Sequence, residues 1–381
     1  MVSRNDIAGI ISNYDQGNLS IAAIGSHSAL EVSRGAKDEG LKNLIVCQNG
    51  RDKTYSRHYL YRKQKSTGAM IGCVDEVAIL EKFSDLISDD VQNHLRIKNS
   101  IFIPNRSFAV YVPYKDIEER FMVPVLGNRF LLKAEERDQQ MNQYDLMKSA
   151  GIKTPRRFKS HDDIDSLAIV KVSEKARKYE RAFFFASSPA DFDHKADELI
   201  EKKIIDEAVL DRAVIEEFVV GAQFNFNFFF SPLNQELELM GIDTRRQTNL
   251  DGLLRLPANE QLEVLKHLRV SNVEVGHIAS TLRESLLEKA FNSAEKLLES
   301  CKREYPPGII GPFALQGAVV SEESKEDMIF FDLSFRIPGS PGITATPYAA
   351  YLYGHKMSVG RRIASEVKEA SKAKRLLELL T

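Results

Sequence analysis

GPFALQGAVV (311–320) and MIFFDLSFRI (328–337), near the end of the chain, decide how the whole is read. Each is a short run of β-branched, aromatic and small apolar residues, the pattern of a buried strand. Each carries one oxygen-bearing side chain where an apolar residue would pack better, Gln316 on the first and Asp332 on the second. Ser334 and Arg336 follow Asp332 at spacing two, so the three share one face of an extended strand. If the two strands are neighbours, Gln316 and Asp332 lie side by side as hard oxygen ligands for Mg²⁺, and Arg336 offers a guanidinium to a phosphate. That combination points to an ATP-dependent enzyme.

Working outward, the 381 residues exceed what one small core organises, so two or three domains are expected. Hydrophobic content of 43%, charged content of 28% and net charge −2 give no electrostatic reason to expect nucleic acid or membrane partners. Cys47, Cys73 and Cys301 are too few and too far apart for a disulfide framework or a zinc finger, which fits a reducing cytoplasm. No apolar run reaches the roughly 18 residues that a membrane helix needs.

The first third alternates strand and helix. LSIAAIGSHS (19–28) is a strand ending in a small-residue turn, ALEVSRGAKDEG (29–40) a helix stopped by Gly40, and LKNLIVCQNG (41–50) the next strand. SIFIPNRSFAVYV (100–112) and FMVPVLGN (121–128) read as further strands. This alternation favours a doubly wound α/β domain with a parallel sheet, whose ligands bind at the carboxyl ends of the strands. From Leu131 the texture changes. LLKAEERDQQMNQYDLMKSAGIKTP (131–155) reads as a charged helix, and beyond it aromatic, alternating strands and amphipathic helices predict two α+β lobes built largely on antiparallel sheet.

Several side chains could do chemistry. Lys171 sits inside the apolar run LAIVKV and is either an edge-strand lysine that snorkels to water or one that reaches a nucleotide phosphate. Glu216 and Glu217 open EEFVVG, which reads either as an ordinary charged strand end or as a strand end and glycine turn that meet an adenine or a ribose. Arg245 and Arg246 read equally as a phosphate clamp or as a solvated turn. His27 lies in the GSHS turn, which either lets a ligand approach a helix N-terminus or is a cap made by Ser26 or Ser28 with His27 incidental, and Ser107 lies in the NRSF turn; both turns are at carboxyl ends of predicted strands.

Taken in order, Lys171, EEFVVG and the Gln316 and Asp332-x-Ser-x-Arg336 strands resemble the ATP-grasp ligases. Longer strings narrow this: IGSHSALEVSRGAKDEG, VPVLGNR, SPLNQELELMGID, NLDGLLRLPANEQLE, LRESLLEKAF, PPGIIGPFALQG and MSVGRRIASEV look like the archaeal PurP family. That family is the formate-dependent 5-formaminoimidazole-4-carboxamide ribonucleotide (FAICAR) synthetase of purine biosynthesis. The resemblance implies a preATP-grasp domain over 1–128, an ATP-grasp central lobe over 129–222 and a metal-bearing C-terminal lobe over 223–381. It implies ATP and Mg²⁺, with Mn²⁺ as the other candidate ion, and the small molecules formate and aminoimidazole-carboxamide ribonucleotide (AICAR) as substrates. A cytoplasmic homo-oligomer is expected. Residue by residue, it implies metal ligation by Gln316 and Asp332. Lys171 and Arg336 are then catalytic. Contacts to ATP fall to Lys133, Lys171, Glu216, Glu217 and Arg245, and contacts to the imidazole nucleotide to His27, Ser107 and His277.

Some positions depart from the family pattern. The glycine-rich loop after the strand lysine is VSEKARKYERA (172–182), with no glycine. A family Glu is Asp332 here, another is Gln247, and an Asn near the imidazole nucleotide is His277. These departures fit a paralogue with altered substrate or reduced catalysis, and equally a lineage that holds the same chemistry by different contacts.

Overall fold

The computed structural model describes residues 1–137, 139–171, 183–247, 249–268, 274–322 and 325–381. The expectations for the loop 172–182 therefore lie outside the described residues.

The first domain is the parallel sheet that the alternation predicts. Strands β1 (Ser20–Ile24), β2 (Lys42–Gln48), β5 (Glu76–Leu80) and β6 (Ser100–Phe102) order as β5-β2-β1-β6, and every pair is parallel. A small hairpin of β3 (Arg62–Lys63) and β4 (Met70–Ile71) projects from it. β1 is buried along its whole length, as a central parallel strand covered on both faces must be.

Three expected elements form differently. The run 100–112 is a strand only to Phe102, after which Asn105 caps a helix over Arg106–Tyr111. Pro104 has no N–H for the ladder, and the Asn105 side-chain oxygen Oδ1 instead accepts from Phe108 N at 3.2 Å. FMVPVLGN makes only isolated bridges, Phe102 with Val125 and Leu126 with Leu380. The charged stretch from Leu131 is not one helix. A short turn of helix covers Leu132–Glu135, and a new helix begins at Gln143, where Asn142 and Asp145 form a capping box.

The remaining strands form two antiparallel sheets. β7 (Ala168–Lys171), β8 (Phe183–Ala186) and β9 (Val214–Glu217) order as β8-β7-β9, with Ala168 and Val170 buried against the helix Pro189–Glu201. β10 (Ala222–Ser231), β11 (Glu236–Gln247), β12 (Glu274–Ser280), β13 (Gly311–Glu322) and β14 (Lys325–Ser334) order as β12-β11-β10-β13-β14. Under this sheet lies the helix Glu284–Glu304, whose stripe of Leu286, Ala290, Ala294, Leu297 and Cys301 shares a core with Phe228 and Phe313.

The end of the chain returns to the beginning. The helix Val359–Lys372 packs on the helix Ala29–Asp38, and Val125 and Thr381 exchange two backbone hydrogen bonds of 3.0 Å each. Ile21, Val32, Phe229, Met240 and Ile363 fall in one hydrophobic cluster. That shared core ties the parallel sheet to the five-stranded sheet and fixes the cleft between them.

Candidate active site

The GSHS turn after β1 and the NRSF turn after β6 meet because their strands are neighbours. Asn105 locks them together, its side-chain amide donating to Ile24 O (2.9 Å) and Ser26 O (3.1 Å). These turns form one wall of a cleft of about 740 Å³, and the five-stranded sheet forms the other. His27, Ser107, Arg245, His277, Gln316, Asp332 and Arg336 all line it. Sequence candidates from segments about 300 residues apart therefore line one cleft.

Gln316 and Asp332 are register partners on β13 and β14, as the opening pair of strands requires. One residue further, the register shifts: Gly317 pairs with Phe330, leaving Phe331 as a bulge. A Cβ on Gly317 would lie 2.7 Å from Ile329 O, so this crossing needs glycine. The Lys171 ammonium lies 5.6 Å from the centroid of the Phe331 ring.

Cations surround Asp332. Arg137 Nη2 is 3.8 Å from its carboxylate. Burial works to raise its pKa, but the charges of Arg137, Arg245 and Lys171 outweigh burial and hold the carboxyl below the usual range. Among the described residues no group of three or more His, Cys, Asp or Glu could hold a metal. Two oxygens on adjacent strands still fit Mg²⁺, which binds through one or two protein oxygens and leaves its other positions to phosphate and water.

Arg336 is not a loose guanidinium. Its Nε and Nη2 donate to Glu135 at 3.1 and 3.0 Å, and Glu135 also accepts from Phe335 N at 2.7 Å. Lys171 does not snorkel. It stands on the middle strand of its sheet, buried, and ion-pairs with the equally buried Glu216. Tyr144 donates to Glu216 at 3.0 Å and accepts from Arg137 at 3.3 Å, so the pair is wired towards Asp332. Burial pushes the Lys171 pKa down, with Glu216 opposing.

Some expected residues stand away from the cleft, and others line it with partners of their own. Lys133 turns to Glu118 at 2.9 Å and does not line the cleft. Glu217 is exposed at the end of β9. Arg245 and Arg246 do not form a joint clamp, because consecutive strand residues face opposite ways: Arg245 meets Glu274 and Arg246 meets Asp251. His277 sits between two carboxylates, with Nδ1 2.5 Å from Asp243 and Nε2 2.9 Å from Glu274. Burial opposes its protonation, yet these two bonds raise its pKa to about 9. His27 shows the reverse behaviour. Its ring is exposed to the cleft, yet desolvation by the atoms packed around it, together with Arg336, pushes it down to about 4. A Cβ on Gly339 would lie 3.3 Å from His27 and 3.7 Å from His277, so the absence of a side chain there lets a charged and a neutral imidazole flank one point.

The sequence reading passed over Arg137, Glu135, Glu274, Asn225 and Asn227. The last two had a signal, since amides alternating with phenylalanines in AQFNFNFFFS break an otherwise apolar strand face. The others come from a short helical turn, a loop and an edge strand and had none.

The curated 5-formaminoimidazole-4-carboxamide-1-(beta)-D-ribofuranosyl 5'-monophosphate synthetase of Methanopyrus kandleri is 41% identical over 380 residues, covering 99% of each chain. This chain belongs to that synthetase family. Two family models also match, one described as "Domain of unknown function (DUF1297)" over residues 191–381 and one as "Protein of unknown function (DUF1246)" over 21–158. The crystal structure of an IMP biosynthesis protein PurP from Thermococcus kodakaraensis superposes with a TM-score of 0.69 at 26% identity, covering 95% of this chain and all of that one. The biotin carboxylase domain of the Hydrogenobacter thermophilus 2-oxoglutarate carboxylase, solved with MgADP and bicarbonate, superposes at 0.58 with 13% identity, covering 91% of this chain and 69% of that one. The last likeness is one of fold. The fold of this synthetase family member is thus the mixed α/β ATP-grasp architecture.

Proposed function

We propose that this chain is an ATP- and formate-dependent carbon–nitrogen ligase that formylates AICAR to FAICAR in purine biosynthesis. Full-length membership of the synthetase family carries the reading. The cleft supports it, because it sets the Gln316–Asp332 pair opposite the His27 and Ser107 turns. ATP phosphorylates formate, the 5-amino group of AICAR attacks the acyl phosphate, and the products are the formylated nucleotide, ADP and phosphate.

In this reading Gln316 and Asp332 hold Mg²⁺, which would neutralise phosphate charge during phosphoryl transfer. Lys171, Arg137, Arg245 and Arg336 add fixed positive charge around that transfer. Their ion pairs with Glu216, Asp332, Glu274 and Glu135 keep them oriented before the substrate arrives. His27, neutral at pH 7, and Ser107 face the imidazole nucleotide and bind it by hydrogen bonds rather than by charge. His277 lies in the same cleft as an imidazolium held between Asp243 and Glu274.

The test is turnover of the purified chain with ATP, Mg²⁺, formate and AICAR. Formation of FAICAR, with ADP release that requires both formate and AICAR, is the expected result. ATP binding without AICAR-dependent ADP release would sink the assignment.

A further inference from the structure

The sheet carries a line of side chains that ends on a proposed metal ligand. It begins at Asp243 on β11, which is 1% exposed. Asp243 accepts from Asn225 (2.8 Å), Asn227 (2.7 Å) and Ser340 (3.0 Å), so its position is fixed from two strands and a loop. His277 on β12 lies 2.5 Å from it and passes the contact on to Glu274 at 2.9 Å. The second oxygen of Glu274 lies 2.8 Å from Arg245 Nε. Arg245 Nη2 then donates to Gln316 Oε1 at 2.6 Å. The strand register explains why the line is continuous, with His277 opposite Arg245 and Asn225 opposite both Asp243 and Gln316.

Two chemical facts give this line a direction. Both ring nitrogens of His277 are taken up by carboxylates, so the imidazole has no hydrogen left to donate to a substrate. Gln316 has two different ends, a carbonyl that can bind a cation and an amide that repels one. Arginine only donates, so Arg245 dictates that the carbonyl of Gln316 faces it. A carbonyl oxygen has a second lone pair, and Asp332 is the cross-strand neighbour on that side. Remove the hold on Arg245 and the glutamine amide is free to turn its N–H₂ to the metal position.

We infer that His277 is a positioning residue which, through Glu274 and Arg245, sets Gln316 carbonyl-first towards the metal before nucleotide binds. The inference rests on reading Gln316 and Asp332 as the metal ligands. It assigns His277 a task distinct from touching the imidazole nucleotide.

The experiment measures Mn²⁺ binding by the full chain in the presence of ADP and absence of AICAR, from the electron paramagnetic resonance signal of free Mn²⁺. His277→Asn keeps an amide near Asp243 but cannot bridge to Glu274. Glu274→Gln, on a partly exposed edge strand, removes the charge that holds Arg245. Each variant should weaken Mn²⁺ binding about tenfold, the usual effect of losing a partner that orients a metal ligand. Each should also raise the KM for Mg²⁺ more than it lowers kcat. Should His277→Asn fail to fold, Glu274→Gln decides alone. Mn²⁺ affinity unchanged in the variants, with only AICAR binding altered, would make His277 a plain substrate contact and overturn the inference. A wild-type chain that binds no Mn²⁺ with ADP would overturn the metal-site reading, and the relay with it.

Discussion

Gly35→Ala should destabilise this protein, although alanine is the better helix former. Gly35 lies within the helix Ala29–Asp38 with no positive φ, so its backbone accepts alanine. By propensity alone the change would stabilise by up to about 1 kcal/mol. Packing reverses the sign. An added Cβ would sit 2.1 Å from Gly360 C, 2.2 Å from Arg361 N and 2.3 Å from Gly360 O, all backbone atoms of the C-terminal helix. From the other side, a Cβ on Gly360 would meet Glu31 O at 2.2 Å. Relief requires the two helices to part by more than about 1 Å, and overpacking of this kind costs about 1–3 kcal/mol. Parting also strains a cap, because the Glu31 carboxylate accepts from Val359 N at 3.1 Å. Losing that bond adds about 1 kcal/mol. The net loss is about 1–3 kcal/mol, a fall in Tm of about 1–4 °C for a chain of 381 residues. Gly9→Ala is the matched control: it lies in the first helix with nothing within 4 Å of an added Cβ, and it should be neutral or stabilising. Thermal melts of the two variants beside wild type check the pair. If Gly35→Ala melts at or above the wild-type temperature, the helices do not cross at backbone contact and the reasoning fails.

Asp332→Asn removes the only carboxylate of the proposed metal pair, and Mg²⁺-dependent turnover should fall by about 100-fold or more. AICAR binding, titrated without nucleotide, should stay at the wild-type level; loss of both would mean that the cleft had collapsed. The pKa of His277 lies near 9 in the fold against 6.5 for a free imidazole. Its contribution to stability is therefore full below about pH 6.5 and is lost as pH rises through about 9, with a ceiling of roughly 3 kcal/mol. Urea unfolding across that range should show the decline in wild type and a flatter profile in His277→Asn. Arg129 is 0% exposed and donates to Ile117 O, Phe121 O, Val123 O and Thr381 O. Arg129→Met leaves those buried carbonyls without their donor and should cost about 3–5 kcal/mol, read as a lowered urea midpoint.

The parts of the site that were legible in sequence were polar residues in places that local pattern made improbable. Gln316 and Asp332 interrupt buried strands that lie close together in the sequence, so their side-by-side pairing follows once the two strands are neighbours. The GSHS turn was placed by a strand followed directly by a helix. Lys171 was visible for the same reason as Gln316, but its partner was not. Glu216 was read as facing a nucleotide, whereas the antiparallel pairing of β7 with β9 brings it to the lysine. Arg137 and Glu135 lie in a stretch whose charge density imitates an exposed helix, and only the fold turns them inward. Lys133, two residues from Glu135, went the other way.

The sequence by itself determined the order of layers, the nature of each sheet and the side-by-side placing of Gln316 and Asp332, the proposed metal pair. Those properties follow from periodicity and from the cost of placing a polar group in an apolar strand, and both are local. What the tertiary structure decided is the electrostatic state of the cleft. His27 and His277 are the same residue type, yet one is held neutral and the other charged. Burial pushes both down; Arg336 adds to it at the first, whereas Asp243 and Glu274 overcome it at the second, neighbours that the strand register and the packing of the two walls supply. Charge interactions act through space, and a linear sequence does not contain those distances.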